Sequence, residues 1–191
     1  MNNSELLARL AIQFPNLDIG PLNSIAKCSS YTELKKGTKL ISEGNRHGYF
    51  YLVLTGGVKS YYNKDSKEVC MWFSFENEII ATTSTLKDKP SKETIELIED
   101  STFIIFQSKK VIELAHTNLQ LSNLLIELWA EHAIFIEQRL YLMQFMTSEE
   151  RYKTLLDSFP EIFQRVSLTD IASFLGISRE TLSRIRTRFI L

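Results

Sequence analysis

The hydrophobic periodicity of the sequence changes once, near Lys109, and this change restricts the fold more than any other feature. From about Ser30 to Gln107, short runs of β-forming residues alternate with turn residues such as Gly37 and the pair Gly56-Gly57. Many short strands at this spacing are typical of a sandwich, jelly roll or barrel. After Lys109, apolar residues recur at helical spacing. The sequence therefore predicts an α+β chain in which an all-β region precedes a helical one.

The segment Thr55-Gly-Gly-Val58 joins two apolar runs of the β region. Glycine readily adopts the positive φ that tight two-residue turns require. The pattern therefore predicts a β-hairpin, in which the strands on either side of the turn pair with each other.

The composition is that of a folded domain without an export signal or a membrane span. The 191 residues carry a net charge of −1, and 44% of them are hydrophobic, which suffices for a buried core. No run reaches the roughly 20 apolar residues that a membrane-spanning helix needs, and the acidic Glu5 does not fit a signal peptide. Cys28 and Cys70 are too few for a disulfide framework or a four-ligand metal site. We therefore expect a reduced, soluble, cytoplasmic protein.

Residues of the long helical segment follow the 4-3-4-3 spacing of a coiled coil. The positions are Leu121, Leu125, Leu128, His132, Phe135, Arg139, Leu142 and Met146, of which six are apolar. Such a stripe lets two helices pair side by side, so it predicts a dimer seam. The alternative is a long helix that packs this stripe on the β-domain of its own chain.

The segment 167–189 has the spacing of a helix-turn-helix. Ser167-Leu-Thr-Asp170 has the pattern of a capping box that begins a helix, and Gly176 permits a sharp turn after it. Ser178 then caps a second helix. The predicted buried side of that helix consists of Leu182, Ile185 and Phe189.

The second helix of this motif is rich in arginine. It carries Arg179, Arg184, Arg186 and Arg188 against one acidic residue, Glu180. Arginine can donate two hydrogen bonds to the O6 and N7 atoms of guanine or bind phosphates, so this helix suits double-stranded DNA. The alternative is a helical hairpin with a charged outer face.

The order of these segments resembles the cyclic-AMP receptor protein/Fnr (Crp/Fnr) family of bacterial transcription regulators. The string ISRETLSRIR, residues 177–186, resembles the family's recognition helix. The string GYFYLVLTGGVKSYY, residues 48–62, resembles a hairpin of its cyclic-nucleotide-binding β-roll. The long helix and the capping box Thr147-Ser-Glu-Glu150 stand where the family has its dimerisation helix and hinge. The resemblance covers nearly the whole chain.

This resemblance implies three segments with separate roles. Residues 1–114 would form a jelly-roll-like, effector-sensing β-roll, residues 115–146 the dimerisation helix, and residues 147–191 a winged-helix-like helix-turn-helix domain. It implies a homodimer that binds double-stranded DNA and that contacts RNA polymerase if it is an activator. The segment PEIFQRVS, before the motif, lacks the longer wing hairpin of many members.

The family's DNA contacts can be assigned to positions of this sequence. Arg179, Glu180 and Arg184 match the three base-reading positions, and they imply a TGTGA-like half-site. The resemblance assigns phosphates or flanking bases to Ser178, Thr181 and Ser183, and we expect Arg186 and Arg188, further along the helix, to contact phosphates.

The effector site departs from the family pattern. Members that bind cyclic AMP have a Gly-Glu pair followed by an Arg-Ser pair, and here Asn77-Glu78 and Pro90-Ser91 stand at those places. Glu78 and Ser91 remain candidate effector-binding residues. The arginine that would neutralise the cyclic phosphate is absent, and burial of a phosphate without a cation is costly. Lys89 or Lys92 could replace it only as point charges. We therefore expect weak or no binding of cyclic AMP, no cofactor and an unidentified effector.

Two other classes of function compete with a DNA-binding regulator. One is a β-roll ligand-binding or protein-interaction module whose helix-turn-helix serves packing rather than DNA recognition. The other is an enzyme, for which the sequence shows no nucleophile–base–orienter set, no metal cluster and no P-loop. Arg179, Glu180 and Arg184 favour the regulator, because packing alone has no use for such an exposed set.

Overall fold

The computed structural model describes residues 1–65 and 67–189, which form two β-sheets and a series of helices. The strands are β1 (Ser29–Leu34), β2 (Lys39–Ile41), β3 (Tyr49–Thr55), β4 (Val58–Lys64), β5 (Lys67–Ser74), β6 (Ile79–Ile80), β7 (Thr94–Leu97) and β8 (Ser101–Gln107). The helices are α1 (Asn3–Gln13), α2 (Ile19–Ala26), α3 (Thr83–Leu86), α4 (Ser108–Thr117), α5 (Leu119–Phe145), α6 (Ser148–Ser158), α7 (Ile162–Arg165), α8 (Leu168–Leu175) and α9 (Arg179–Phe189). The predicted α+β class and the change to helices near Lys109 are confirmed.

The strands form a jelly-roll-like β-roll. One sheet has the strand order β1-β8-β3-β6 and the other has the order β2-β7-β4-β5. β8 pairs antiparallel with both β1 and β3, so that Phe106 lies opposite Ser29 on one side and Phe50 on the other. Four consecutive residues of β3, from Phe50 to Val53, are buried. This explains why β3 is a continuous apolar run rather than an alternating one.

The turn between β3 and β4 carries the chain from one sheet to the other. Gly56 has a φ of +91°, in the left-handed region, and a Cβ at this position would lie 2.8 Å from the carbonyl oxygen of Asp100. The glycine turn is therefore confirmed. The predicted pairing of its two flanking strands is wrong, because β3 and β4 belong to different sheets. Turn residues determine the local backbone but not the sheet that each strand joins.

The chain forms two compact units whose boundaries differ from the segments predicted from the sequence. One unit comprises Met1–Lys59 and Phe73–Trp129, and the other comprises Ser60–Trp72 together with the chain from Ala130. The second unit thus combines most of β4 and β5 with the C-terminal part of α5 and the helices after it. The predicted boundaries follow secondary structure, whereas the compact units follow packing and divide α5.

A hydrophobic core joins the first sheet to the helices of the first unit. Phe50 and Leu52 of β3 and Ile104 and Phe106 of β8 lie in one buried cluster with apolar residues of α1, α2 and α4.

None of the helices in the described part of the chain has the length and apolar character of a membrane span.

The stripe that predicted a dimer seam faces its own chain at its N-terminal end. Leu121 is 2% exposed and belongs to the core of the first unit, and Leu125 packs against that core. Further along, Phe135 is 37% exposed, and the half-buried positions are Leu128, His132, Arg139, Leu142 and Met146. The seam assignment is therefore wrong for Leu121. The 4-3-4-3 spacing shows that a helix has an apolar side, but it does not identify what covers that side.

His47, in the loop before β3, holds a buried polar atom without a hydrogen-bond partner. Its ring stacks on Tyr51, with centroids 5.4 Å apart, and meets Tyr49 edge-on at 5.6 Å. Its Nε2 atom is buried and unpaired. Burial lowers the pKa of His47 below the ordinary value of 6.5.

We expect acidification to destabilise the fold through His47. Because the folded state disfavours the charged imidazole, the unfolded state binds this proton more readily. The destabilising contribution of His47 is therefore absent well above pH 6.5, and it grows as the pH falls from there toward the lowered folded-state pKa. Urea unfolding at about pH 7.5 and about pH 5.5 should show a smaller decrease for His47→Gln than for the unaltered protein. The exposed His116 supplies the control variant His116→Gln. Equal decreases in all three proteins would contradict the assignment.

Candidate nucleic-acid interface

The helical region after α5 begins at the predicted capping box. The Thr147 hydroxyl accepts a hydrogen bond from the Glu150 backbone N–H at 3.3 Å, and the Glu150 carboxylate accepts one from the Thr147 backbone N–H at 2.7 Å. The bond from the Thr147 backbone N–H, and a second one that the Thr147 hydroxyl donates at 2.8 Å, lower the pKa of the Glu150 carboxyl. The capping box therefore fixes the point at which the chain leaves α5 and begins α6.

The turn between α8 and α9 is closed by Gly176. This residue has φ +67° and ψ 36°, and the Ile177 N–H reaches back to the Ala172 carbonyl oxygen at 3.0 Å. At the other end of α8, the Ser167 hydroxyl caps the Asp170 N–H at 3.1 Å. The predicted helix, glycine turn and helix are therefore present in the predicted order.

Replacing Gly176 with alanine is expected to destabilise the second unit by about 1–2 kcal/mol, because a side chain disfavours the left-handed region. The added Cβ would also lie 2.6 Å from the Cε atom of Met143. The double variant Met143→Ala, Gly176→Ala should relieve this contact but not the backbone strain. Thermal unfolding of both variants measures the two contributions. A melting temperature unchanged by Gly176→Ala would contradict the account.

α9 is held on the second unit by its apolar side. The Ser178 hydroxyl caps the helix by accepting from the Thr181 N–H at 3.1 Å. Leu182 is 0% and Ile185 4% exposed, as predicted. Phe189 is 41% exposed, so its predicted burial is wrong. Its ring nevertheless meets Tyr152 at 5.3 Å between centroids, because the C-terminal end of α9 lies at the edge of this core.

The core beneath α9 is built from α6, α7 and α8. Its buried members are Tyr152, Ile162, Val166, Ile171, Ala172, Leu175, Leu182 and Ile185. Between α6 and α8 the structure has the short helix α7 (Ile162–Arg165) and no strand in residues 147–189. The expectation that PEIFQRVS forms no wing hairpin is therefore confirmed for these residues.

The predicted DNA-contacting residues lie mostly on the open side of α9. The exposed ones are Ser178, Arg179, Glu180, Ser183, Arg184 and Arg188, and the half-buried ones are Thr181 and Arg186. The backbone N–H groups of the first turn and the flanking arginines favour the charged form of the one acidic member. The pKa of Glu180 is accordingly lowered, first by its own backbone N–H and then by the Ser178 hydroxyl.

Several of these residues contact other groups of the chain. Thr181 accepts a hydrogen bond from Arg184 Nη2 at 3.2 Å and takes part in the cap. The guanidinium of Arg186 lies over the Phe163 ring at 5.9 Å from its centroid. Arg188 forms an ion pair with Glu149. A phosphate that binds Arg188 must therefore compete with this carboxylate.

The two candidate effector-binding residues are engaged in their own loops. The Glu78 carboxylate accepts from the Phe75 N–H at 3.1 Å. The buried Ser91 hydroxyl donates to the Glu93 carbonyl oxygen at 2.8 Å. Lys89 and Lys92 are exposed. Neither lysine is thus buried beside Ser91 in the way a phosphate ligand would require.

The hydroxyl groups of segment 82–85 likewise hydrogen-bond within their own segment. Thr82 caps α3, and its hydroxyl lies 2.9 Å from the hydroxyls of both Ser84 and Thr85. Within the described residues there is no group of three or more side chains with metal-ligand chemistry.

Sequence reasoning missed the side chains that hold α8. Arg151 of α6 donates from Nε to the Leu175 carbonyl oxygen at 3.0 Å, and Arg139 of α5 donates to the Phe174 carbonyl oxygen. Ser173 of α8 accepts from the Cys70 N–H of β5 at 2.9 Å. These contacts join residues far apart in the chain, so no local pattern could have revealed them.

Both the sequence and the fold are similar to those of known proteins. The family model of the cyclic nucleotide-binding domain matches residues 31–118. The transcriptional activator protein Anr of Pseudomonas aeruginosa is 24% identical over 184 residues, which cover 90% of this chain and 74% of that protein. Its namesake from Pseudomonas protegens is 26% identical over the same shares. The solved structure of FixK2 from Bradyrhizobium japonicum matches with a TM-score of 0.76 at 21% identity, over 84% of this chain and 83% of that one.

Proposed function

Because this chain belongs to the Crp/Fnr family of transcription regulators, we propose that it binds an inverted-repeat DNA site as a homodimer and reads base edges with the N-terminal half of α9. Its curated relatives are named as transcriptional activators. If this chain is an activator too, RNA polymerase is its further partner.

The observation that carries this proposal is the exposed N-terminal half of α9. Arg179, Glu180 and Arg184 are exposed, whereas Leu182 and Ile185 are buried in the core beneath them. A helix held by its apolar side can enter the major groove with its N-terminal residues toward the bases. Each arginine can then donate to the O6 and N7 atoms of a guanine, and the glutamate can accept from the N4 atom of a cytosine.

The proposed dimer face is an exposed apolar strip of α5. Ile134 is 52%, Tyr141 53% and Phe145 70% exposed. Their spacing of 7 and 4 residues places these side chains on one side of the helix. An uncovered apolar strip of this kind marks an interaction site. A second copy of α5, related by a two-fold axis, would cover it and present two copies of α9 to an inverted repeat.

Cyclic AMP is not the proposed effector. Pro90 occupies the position of the phosphate-binding arginine, and the buried Ser91 bonds to its own loop. Titration calorimetry with cyclic AMP should therefore show no micromolar binding, which would correspond to about −8 kcal/mol. A dissociation constant at or below about 1 μM would contradict this proposal.

Selection of DNA by the purified protein tests the proposed function. The protein is mixed with duplexes of random sequence, and the retained DNA is sequenced. We expect an inverted repeat with a guanine in each half and half-site centres about 10–10.5 base pairs apart, or a multiple of that distance. Enrichment of no sequence would contradict the proposal and favour a helix-turn-helix that packs against a protein partner. Parallel selections with candidate small molecules would show whether an effector is needed.

A further inference from the structure

The C-terminal end of α8 is bound by two guanidinium groups from other helices. The Arg139 side chain of α5 lies over the Phe174 ring, with its Cζ atom 4.0 Å from the ring centroid, and donates to the Phe174 carbonyl oxygen. Arg151 of α6 donates to the carbonyl oxygens of Leu175 at 3.0 Å and Met146 at 2.7 Å. The last carbonyls of a helix lack partners within it and form its negative end. Both arginines therefore stabilise the end of α8 just before the turn into α9.

A second attachment of α8 is its own Ser173, which bonds to the edge of a sheet. β5 is the outermost strand in the order β2-β7-β4-β5, so no strand of the described residues lies beside one of its edges. The Ser173 hydroxyl accepts from the Cys70 N–H at 2.9 Å and donates to the Glu68 carbonyl oxygen at 3.3 Å. A single side chain of α8 thus bonds with both a donor and an acceptor of this edge.

Arg139 is poorly suited to a role as a solvated surface residue. It is half-buried, and burial lowers its pKa from the ordinary value. Desolvation of a guanidinium has a cost that is compensated here by stacking on Phe174 and by the bond to its carbonyl oxygen. Lysine could supply the charge, but it lacks the planar group that can both stack on the ring and donate to the carbonyl oxygen.

We infer that Arg139 and Ser173 are positioning residues, which fix the helix pair α8–α9 on α5 and on β5 and thereby set the half-site spacing that the dimer accepts. This inference rests on the proposed function. α8 packs against α9, and Ile171, Leu175 and Leu182 of the two helices are buried, so a group that orients α8 also orients α9. α5 carries the proposed dimer face, so its contact with α8 relates each recognition helix to the two-fold axis.

DNA geometry makes this role measurable. One base pair inserted between the half-sites displaces one of them by about 3.4 Å and rotates it by about 34°. If the two recognition helices are held rigidly relative to each other, they cannot match both the displacement and the rotation. The dimer then loses contacts with one half-site. If the two recognition helices can move relative to each other, they can bind both half-sites at the altered spacing. Their affinity for the best spacing is then lower.

The test compares Arg139→Gln and Ser173→Ala with the unaltered full-length protein. Lys153→Gln and Ser158→Ala, at exposed positions of α6, serve as controls for loss of charge and of a hydroxyl. Fluorescence anisotropy measures binding to the selected site, to the same site with one base pair added or removed, and to a single half-site. Circular dichroism verifies folding of each variant, and Ser173→Ala provides the milder change if Arg139→Gln does not fold.

In the unaltered protein and both controls, we expect the altered spacing to weaken binding at least about tenfold. In Arg139→Gln and Ser173→Ala, the ratio of the dissociation constant for the altered spacing to that for the selected site should fall to about twofold. The affinity for the single half-site should be unchanged. Arg139→Lys should not restore the ratio, because lysine lacks the planar donor group. A merely structural role would weaken binding to all duplexes equally, and an unchanged ratio would overturn the inference. If the unaltered protein prefers no inverted repeat at all, the proposed function fails and the inference with it.

Discussion

Replacing Arg179 or Arg184 with alanine is expected to weaken binding of the inverted repeat by about 1–3 kcal/mol per half-site. Both side chains are exposed in the first turns of α9, so each substitution should leave the buried Leu182 and Ile185 undisturbed. The loss should be confined to one base position in each half-site, where the preference for guanine should relax. Repeating the selection with each variant identifies that position.

Arg188→Ala is the matched control for these two variants. Arg188 lies further along α9 and forms an ion pair with Glu149. Its removal should weaken binding to all sequences alike and reduce the salt dependence by about one unit per lost phosphate contact. If Arg179→Ala and Arg188→Ala weaken specific and random DNA by the same factor, the base-reading role of Arg179 is wrong, although DNA binding itself survives.

Glu180→Gln provides a control of opposite sign. The carboxylate is exposed and ionised, so its replacement should strengthen non-specific binding to the phosphates. The same change should weaken discrimination at the cytosine that Glu180 is proposed to contact. Improved binding with unchanged discrimination would remove Glu180 from the base-reading set.

The double variant Ile134→Glu, Tyr141→Glu is expected to convert the dimer to monomers. Both side chains are about half exposed in the single chain, so the substitutions are compatible with its fold. In a dimer they would bury unpaired charges, at a cost on the order of several kcal/mol for each carboxylate. Sedimentation equilibrium measures the mass, and loss of dimers should abolish binding to the full inverted repeat.

Phe135→Glu is the control on the side of α5 that the sequence spacing favoured. Phe135 is 37% exposed and belongs to the stripe whose first member, Leu121, is buried in its own chain. This variant should remain dimeric. A monomeric Phe135→Glu together with a dimeric Ile134→Glu, Tyr141→Glu protein would restore the seam predicted from the spacing.

The parts of the fold that depend on neighbouring residues could be predicted from the sequence. Capping by Thr147, Ser167 and Ser178 acts over three residues, and the left-handed Gly176 requires no knowledge of distant segments. The same holds for the buried Leu182 and Ile185 on one side of α9. These local rules located the helix-turn-helix and its exposed arginines.

The wrong predictions concern which part of the chain packs against a given apolar surface. The spacing of Leu121 and Leu125 identified an apolar side of α5, but the core formed by α1, α2 and the first sheet covers it. The apolar residues that remain exposed, such as Ile134 and Tyr141, interrupt that spacing and were overlooked. Arg139 was placed in the seam for the same reason, although its partner is Phe174, 35 residues away. Periodicity describes one helix at a time, whereas these contacts depend on tertiary packing.

The specificity of DNA binding tests the central claim most directly. The dissociation constant of the purified dimer is measured for the selected inverted repeat and for a duplex of the same composition in shuffled order, at near-physiological salt. The account predicts binding of the inverted repeat at least about 10³-fold tighter than binding of the shuffled duplex. Equal dissociation constants for the two duplexes would contradict it.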